Sequence, residues 1–321
     1  MNQVFIVTGG AGFIGSHIVE RILTEQPYAV VRVFDNFSTG RLGNLPFRMT
    51  VGDRLEIIEG DIRDSRALAE VVRGAAVVFH QAALVSVPKS VEDPIVADEH
   101  NVTGTLNVFE AARRADVKRV VYASSSAVYG NLPGERKRED QPTAPISPYG
   151  VAKMVAEQYA AVWTRLYQVE AVGLRYFNVF GPRQDPRSEY AAVVPRFIMS
   201  ALQGSALEIH GDGLQSRDFV YVENVARANL AAAQPPKAAG EVFNIGSGSP
   251  TTVLHLLGLL EAALGCRLSR RHTDPRVADI VHIYADLEKT RKVLGDIEVV
   301  SLEDGLRRTI EHFAVLGSGG C

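Results

Sequence analysis

The chain has 321 residues, of which 46% are hydrophobic and 22% charged, enough to build a large soluble α/β core. A formal net charge of −3 with no long block of like charge excludes a polyanion such as nucleic acid as partner. Two cysteines, Cys266 and Cys321, exclude a disulfide framework and a cysteine metal site, and the reading is a reducing, cytoplasmic setting with no metal.

From Met1 the chain runs directly into a strand pattern without a basic leader, and its most apolar later run, "VLHLLGLLEAALG", is broken by His255 and Glu261. Neither feature suits a membrane. The strand "VFIVTG" is followed by a helix from about Ser16, then "VVRVFDN", "LEIIEGD", a helix through "RALAEVVRG", "VVFHQAA", a helix near 101–115, "RVVYASS" and a helix from 148. Such alternation predicts βαβ units, hence an α/β fold of Rossmann type, a doubly wound parallel sheet with helices on both faces. After "VGLRYFNVFG" (172–181) glycine, proline and arginine become dense until "PRFIMSALQG", which suggests a smaller C-terminal α/β substrate domain over the sheet edge. Residues 1–178 form the expected dinucleotide-binding domain, with 220–247 returning to it; 179–219 and 248–316 form the second domain, and 317–321, "GSGGC", a flexible tail.

The first strand ends in "TGGAGFIGSH". Gly9 suits a tight turn, Gly12 lets a pyrophosphate approach the backbone, and Gly15 lets helix and strand pack closely, with Phe13 and Ile14 between them. Such a loop alone is also an ordinary strand-to-helix turn. Asp35 changes that, standing twenty residues beyond Gly15 at the end of the next strand, where its carboxylate can accept both hydroxyls of an adenosine ribose. With Asn36 beside it, the acid would repel a 2′-phosphate, so the expected cofactor is NAD rather than NADP. Asp61 and Ile62 end another strand and could hold adenine, while Gln81, Ala82 and Ala83 end a third and leave room for the cofactor.

In "SPYGVAK" Tyr149 and Lys153 lie one helical turn apart, with Ser147 as cap and Pro148 at the first position. A phenol of pKa about 10 is a poor base at neutral pH; an ammonium, a nicotinamide cation and a helix N-terminus all favour its ionised form. A tyrosine and lysine at this spacing occur on many surface helices, but "YASSSAVYG" upstream supplies hydroxyls that could polarise a nascent carbonyl. Ser125 or Ser126 is expected in that role, with Ser124 as a further possibility.

With these motifs in order, the chain resembles the extended short-chain dehydrogenase/reductase family, over nearly its full length. "GLRYFNVFGPRQDP", "YAAVVPRF", "GDGLQSRDFVYVENV" and "FNIGSG" are similar to the substrate domain of its nucleotide-sugar 4-epimerases, and "QAALVSVPKSVEDP" to those acting on UDP-N-acetylhexosamines or their uronic acids. The resemblance implies that Asn178 contacts the UDP diphosphate, that Arg217 and Arg276 neutralise it, that Val194 and Phe197 help hold uracil, and that Ser86 faces the sugar. It implies further that Tyr149 takes the 4-hydroxyl proton while C4 gives hydride to retained NAD, leaving a 4-keto sugar that turns over before hydride returns. Related dehydratases and decarboxylases carry acids after the active hydroxyl, where this chain has Ser126 and Ala127. At Asp279 the chain reads Asp279-Ile280-Val281 and lacks the family's usual arginine, while Ile283 falls at the position expected to gauge sugar size. UDP-N-acetylglucosamine is the expected substrate, with UDP-glucose or a UDP-uronic acid, met by Arg187 or Ser86, as alternatives, and an NAD(H) sensor without turnover as the different class. Helices near 101–115 and 149–167, with Val155, Tyr159 and Trp163, would pair across a two-fold axis in a homodimer.

Overall fold

The computed structural model describes residues 3–186, 192–274 and 282–317. Seven strands form one parallel sheet: β1 (Val4–Thr8), β2 (Val30–Asp35), β3 (Leu55–Glu59), β4 (Ala75–His80), β5 (Arg119–Ser125), β6 (Glu170–Tyr176) and β7 (Val242–Ile245). Their order is β7-β6-β5-β4-β1-β2-β3, so the chain winds outward from β1 in one direction, then returns to β1's other side and winds in the opposite direction. That reversal opens a crevice beyond the C-terminal ends of β1 and β4, the place where such sheets bind ligands.

The central strands are β-branched runs buried on both faces, as a covered parallel sheet requires. On one face α1 (Phe13–Glu25) and α6 (Val222–Ala232) bury Ile18, Ile22, Val225 and Ala228 against Val7, Val33 and Val172. On the other, α2 (Ser65–Val71), α3 (Gly104–Arg114) and α4 (Pro148–Tyr167) cover Ile6, Val78 and Val120. A separate core gathers α5 (Val193–Leu202), α7 (Val253–Leu264) and α8 (Leu302–Gly317) around Phe197, Leu256 and Phe313.

Two helices differ from expectation. The first begins at Phe13, not Ser16, because Gly12 is extended (φ −78°, ψ −178°) and serves as N-cap without a side-chain bond. The helix near 101–115 begins at Pro94 and contains a wide turn over Glu99–Thr103. There Asn101 leaves the surface to clasp Leu84, accepting its N–H at 2.8 Å and donating to its carbonyl at 2.9 Å, while Gly104 packs its backbone against Ile62. After β6, residues Asn178–Phe180 pair in parallel with Phe219–Tyr221 outside the main sheet, and β7 joins its edge beside β6.

Candidate active site

At the end of β1, Gly9 takes φ +67°, and its N–H donates to the Phe34 carbonyl at 2.8 Å. A Cβ on Gly9 would stand 2.7 Å from the Ala82 nitrogen, and one on Gly15 only 2.1 Å from the Gly9 carbonyl oxygen. Glycines here let β1, α1 and the end of β4 meet. α1 has neither a side-chain cap nor an acid in its first turn, so its leading N–H groups and positive dipole end are left to an anion.

Asp35 is buried at the end of β2, where its carboxylate accepts the N–H groups of Ala11 and Phe37, each at 2.9 Å. Burial pushes this carboxyl above the usual carboxylate range, and the two N–H bonds oppose it. Gly40 lies directly over the carboxylate. Asn36 donates to Asp61 at 2.9 Å, and Arg63 grips the same Asp61, holding its carboxyl well below the ordinary range. Gly60 and Ile62, on either side of Asp61, lie on the cleft wall with Asn36. Gln81, Ala82 and Ala83 lie on that wall with Gly9, Gly12, Phe13, Ile14 and Gly15.

The cleft, of about 1630 Å³, runs from this loop to Tyr149 and Lys153. Ser147 caps α4 by accepting the Gly150 N–H at 3.1 Å, with Pro148 at the first position, and Ser90 accepts the Tyr149 N–H at 3.1 Å. Lys153 is buried, donates to the Ala123 carbonyl at 2.8 Å, and lies 5.8 Å from the centre of the Tyr149 ring. Of the serines, Ser125 lies on the cleft wall with Tyr149; Ser124 donates to Glu157 at 2.5 Å; Ser126 opens a short 3₁₀ turn, off the wall. Sequence reasoning set the ammonium and the helix end to favour the phenolate. Here burial dominates and pushes the Tyr149 phenol up, with the Ser125 hydroxyl opposing it, while burial pushes Lys153 down to about 8.

The expected substrate residues divide. Asn178 and Val194 lie on the wall. Phe197 does not: at 1% exposure it belongs to the core around α5 and α7. Ser86 caps the helix Val87–Glu92, accepting the Lys89 N–H at 3.2 Å, so that Val85 takes the wall instead. Arg217 lies off the wall, donating to the Ser216 carbonyl at 2.9 Å, and Ile283 packs with Val128, Tyr129 and Phe177. Arg187, Arg276 and Asp279 lie outside the described residues. Tyr159 and Trp163 turn inward, Trp163 against Phe109 with ring centroids 6.4 Å apart, so part of the apolar surface expected at a dimer face covers the chain's own sheet.

Further residues surround the cleft. His80 is buried between the hydroxyls of Thr8 (2.7 Å) and Thr105 (3.0 Å), and burial, then Lys153, drives it down to about 3. Arg41 and Asp185, on opposite lips of the cleft, pair at 2.7 Å, and Arg183 pairs with Glu20 of α1 at 2.6 Å. Glu157 follows Lys153 by four residues, a spacing visible in the sequence, yet its partners are far along the chain. Among the described residues no group of His, Cys, Asp or Glu could hold a metal, and no helix is long and apolar enough to cross a membrane.

Residues 5–246 match the NAD dependent epimerase/dehydratase family. The chain belongs to that family. Its cofactor is NAD, and the residues present fit it: a glycine cradle closed on backbone at Gly9 and Gly15 but facing the cleft at Gly12, an uncapped helix end, and a buried acid ending β2. A family member from Mycolicibacterium smegmatis, UDP-glucose 4-epimerase, is 38% identical over 96% of this chain and 97% of its own. Among solved structures, the UDP-N-acetylglucosamine 4-epimerase of Methanobrevibacter ruminantium, in complex with UDP-N-acetylmuramic acid, superposes with a TM-score of 0.93 at 37% identity, covering 98% and 99% of the two chains. The UDP-glucuronic acid 4-epimerase of Bacillus cereus, with UDP-glucuronic acid and NAD, gives 0.89 at 31% identity over 98% and 100%.

Proposed function

We propose that this protein is an NAD-dependent UDP-sugar 4-epimerase whose preferred pair is UDP-N-acetylglucosamine and UDP-N-acetylgalactosamine. The observation that carries the reading is the Ser125–Tyr149–Lys153 group at the end of the dinucleotide cleft. When bound, NAD supplies the acceptor and then the donor of hydride at the sugar's C4. Tyr149 takes the 4-hydroxyl proton and later returns it, and Ser125 donates to the same oxygen as it becomes a carbonyl. Lys153, buried beside them, favours the ionised phenol. Neither Ser126 nor Ala127 can act as the extra acid or base that dehydration or decarboxylation needs, so the 4-keto sugar is left to turn over and be reduced on its other face.

The N-acetyl preference rests on the motifs around Ser86 and at 183–197, "RQDP…YAAVVPRF", and on the Methanobrevibacter relative. UDP-glucose and UDP-glucuronic acid are the second reading, favoured by the names of the other relatives. Residues 1–178 with 220–247 bind the dinucleotide, and 179–219 with 248–316 bind the UDP-sugar, Asn178 and Val194 lying on the cleft wall at their seam. The working form is a cytoplasmic homodimer paired through the faces of α3 and α4, and a monomeric mass in solution would reject that state.

The test is proton NMR of the anomeric signals after incubation, without added cofactor, with UDP-N-acetylglucosamine, UDP-glucose and their uronic acids. Conversion of the first to UDP-N-acetylgalactosamine is the expected result. Reaction of UDP-glucose alone would move the preference, and turnover surviving in Tyr149→Phe would overturn the mechanism.

A further inference from the structure

Tyr149, Lys153 and Glu157 repeat at four-residue spacing along one face of α4. The end of β5 meets each in turn: the Ala123 carbonyl accepts from Lys153 at 2.8 Å, Ser124 donates to Glu157 at 2.5 Å, and Ser125 shares the cleft wall with Tyr149. Glu157 is itself locked from β6, where Arg175 donates through Nε at 2.8 Å and through Nη2 at 2.7 Å to its two oxygens. Arg175 also donates through Nη1 to the Tyr129 hydroxyl at 2.9 Å, which donates in turn to Asn244 of β7 at 2.7 Å. A polar chain from three adjacent strands thus ends one helical turn from Lys153.

A buried ion pair is seldom the most stable way to fill a core, so its place on the helix face behind Lys153 calls for a reason. Lys153 supplies one. Its side chain is buried at the cleft wall, and the carbonyl that accepts its hydrogen bond carries no charge to offset the cost of that burial. The charged and titratable groups around it are Glu157 on its own helix, neutral His80 from β4 and the phenol of Tyr149, pushed up by burial, while Arg175 and the phenol of Tyr122, also pushed up by burial, lie against Glu157. Glu157 is the group among them whose charge favours the ammonium. Its two oxygens each take a bond from Arg175.

We propose that Glu157, locked by Arg175 and Ser124 one helical turn behind Lys153, is a positioning residue for the reaction: its fixed carboxylate favours the charged form of Lys153. The inference rests on the roles given above to Tyr149 and Lys153, but it concerns a titration that needs no sugar.

The test uses the NAD-loaded protein with lysine labelled at 13Cε, the Lys153 signal being identified by its loss in Lys153→Met. Glu157→Gln keeps the side chain's size and an acceptor for Arg175 but removes the charge. The Lys153 midpoint is expected to fall by about one pH unit, a tenfold loss of ammonium at a given alkaline pH, and the basic limb of kcat/KM to move down with it. Glu157→Asp, which keeps the charge, is expected to restore the midpoint even where kcat stays low. Should Glu157→Gln fail to fold because Arg175 is left unpaired, the Glu157→Gln/Arg175→Gln double variant removes both charges and is expected to move the midpoint in the same direction by less. A uniform loss of activity with an unmoved Lys153 midpoint in the variant that folds would overturn the inference and leave the epimerase reading standing. Failure of the epimerase reading in the Tyr149→Phe test would leave the titration unaffected.

Discussion

Gly15 and Gly12 lie in one loop and face different constraints. A methyl group on Gly15 would enter the Gly9 carbonyl at 2.1 Å, a backbone atom that cannot swing aside, whereas on Gly12 the nearest neighbour is 3.1 Å away and the rest is cleft. Gly15→Ala should therefore cost about 1–3 kcal/mol of stability, read from denaturant midpoints, and reduce the NAD carried by the purified protein. Gly12→Ala should leave stability within about 1 kcal/mol and still lower NAD content, since the added methyl stands where a diphosphate approaches. Equal losses of stability in both would contradict this account. These glycines, Asp35 and the Tyr149–Lys153 spacing were legible in the sequence because each signal is local, a turn or one helical turn. Which of Ser124, Ser125 and Ser126 meets Tyr149 was not, since it depends on how α4 lies on β5, and Glu157 bonds residues 33 and 18 positions away. Ser86 and Phe197, carried over by resemblance, fall off the wall because one spends its oxygen on a helix cap and the other fills a core.

At the scale of elements, the start of α4 fixes the reacting phenol. Ser147 caps it and Pro148 leads it, so Tyr149 sits in a first turn and also donates its N–H to Ser90. Ser147→Ala should cost about 1 kcal/mol and lower kcat more than it changes KM, because the loosened turn carries the base rather than the uridine side of the cleft. An unchanged kcat beside a lowered melting temperature would make the cap purely structural. The strands of the sheet were readable from their β-branched runs. The wide turn at Glu99–Thr103 was not: its cause is the clasp of Asn101 on Leu84, seventeen residues back, which no helical periodicity records. The inward turn of Trp163 has the same origin, since a helix bearing apolar residues on two sides does not reveal which side meets its own sheet.

For the whole molecule, two buried histidines tie stability to pH. His80 beneath the cleft and His17, bonded to the Pro182 carbonyl at 3.0 Å, are both held near 3, chiefly by burial and then by Lys153 and Arg183 respectively. The folded values lie below the unfolded value of about 6.5, so the stability they give is complete above that pH and declines as pH falls toward 3. The slope approaches about 1.4 kcal/mol per pH unit for each, so the melting temperature should drop steadily from pH 6.5 to 5, and His80→Gln should flatten that drop. A flat profile over this range would contradict the buried, neutral assignment. The position of β7 has a consequence for synthesis. β6 pairs along Gly173–Tyr176 with a strand that begins at Val242, while Arg119 and Tyr176 take partners from residues 229–235. Until that stretch has left the ribosome, a nascent chain holds an apolar, unpaired sheet edge and its cleft has no finished wall. A chain stopped at residue 178 should therefore collect in inclusion bodies rather than bind NAD, although every glycine of the loop and both Tyr149 and Lys153 would be present in it.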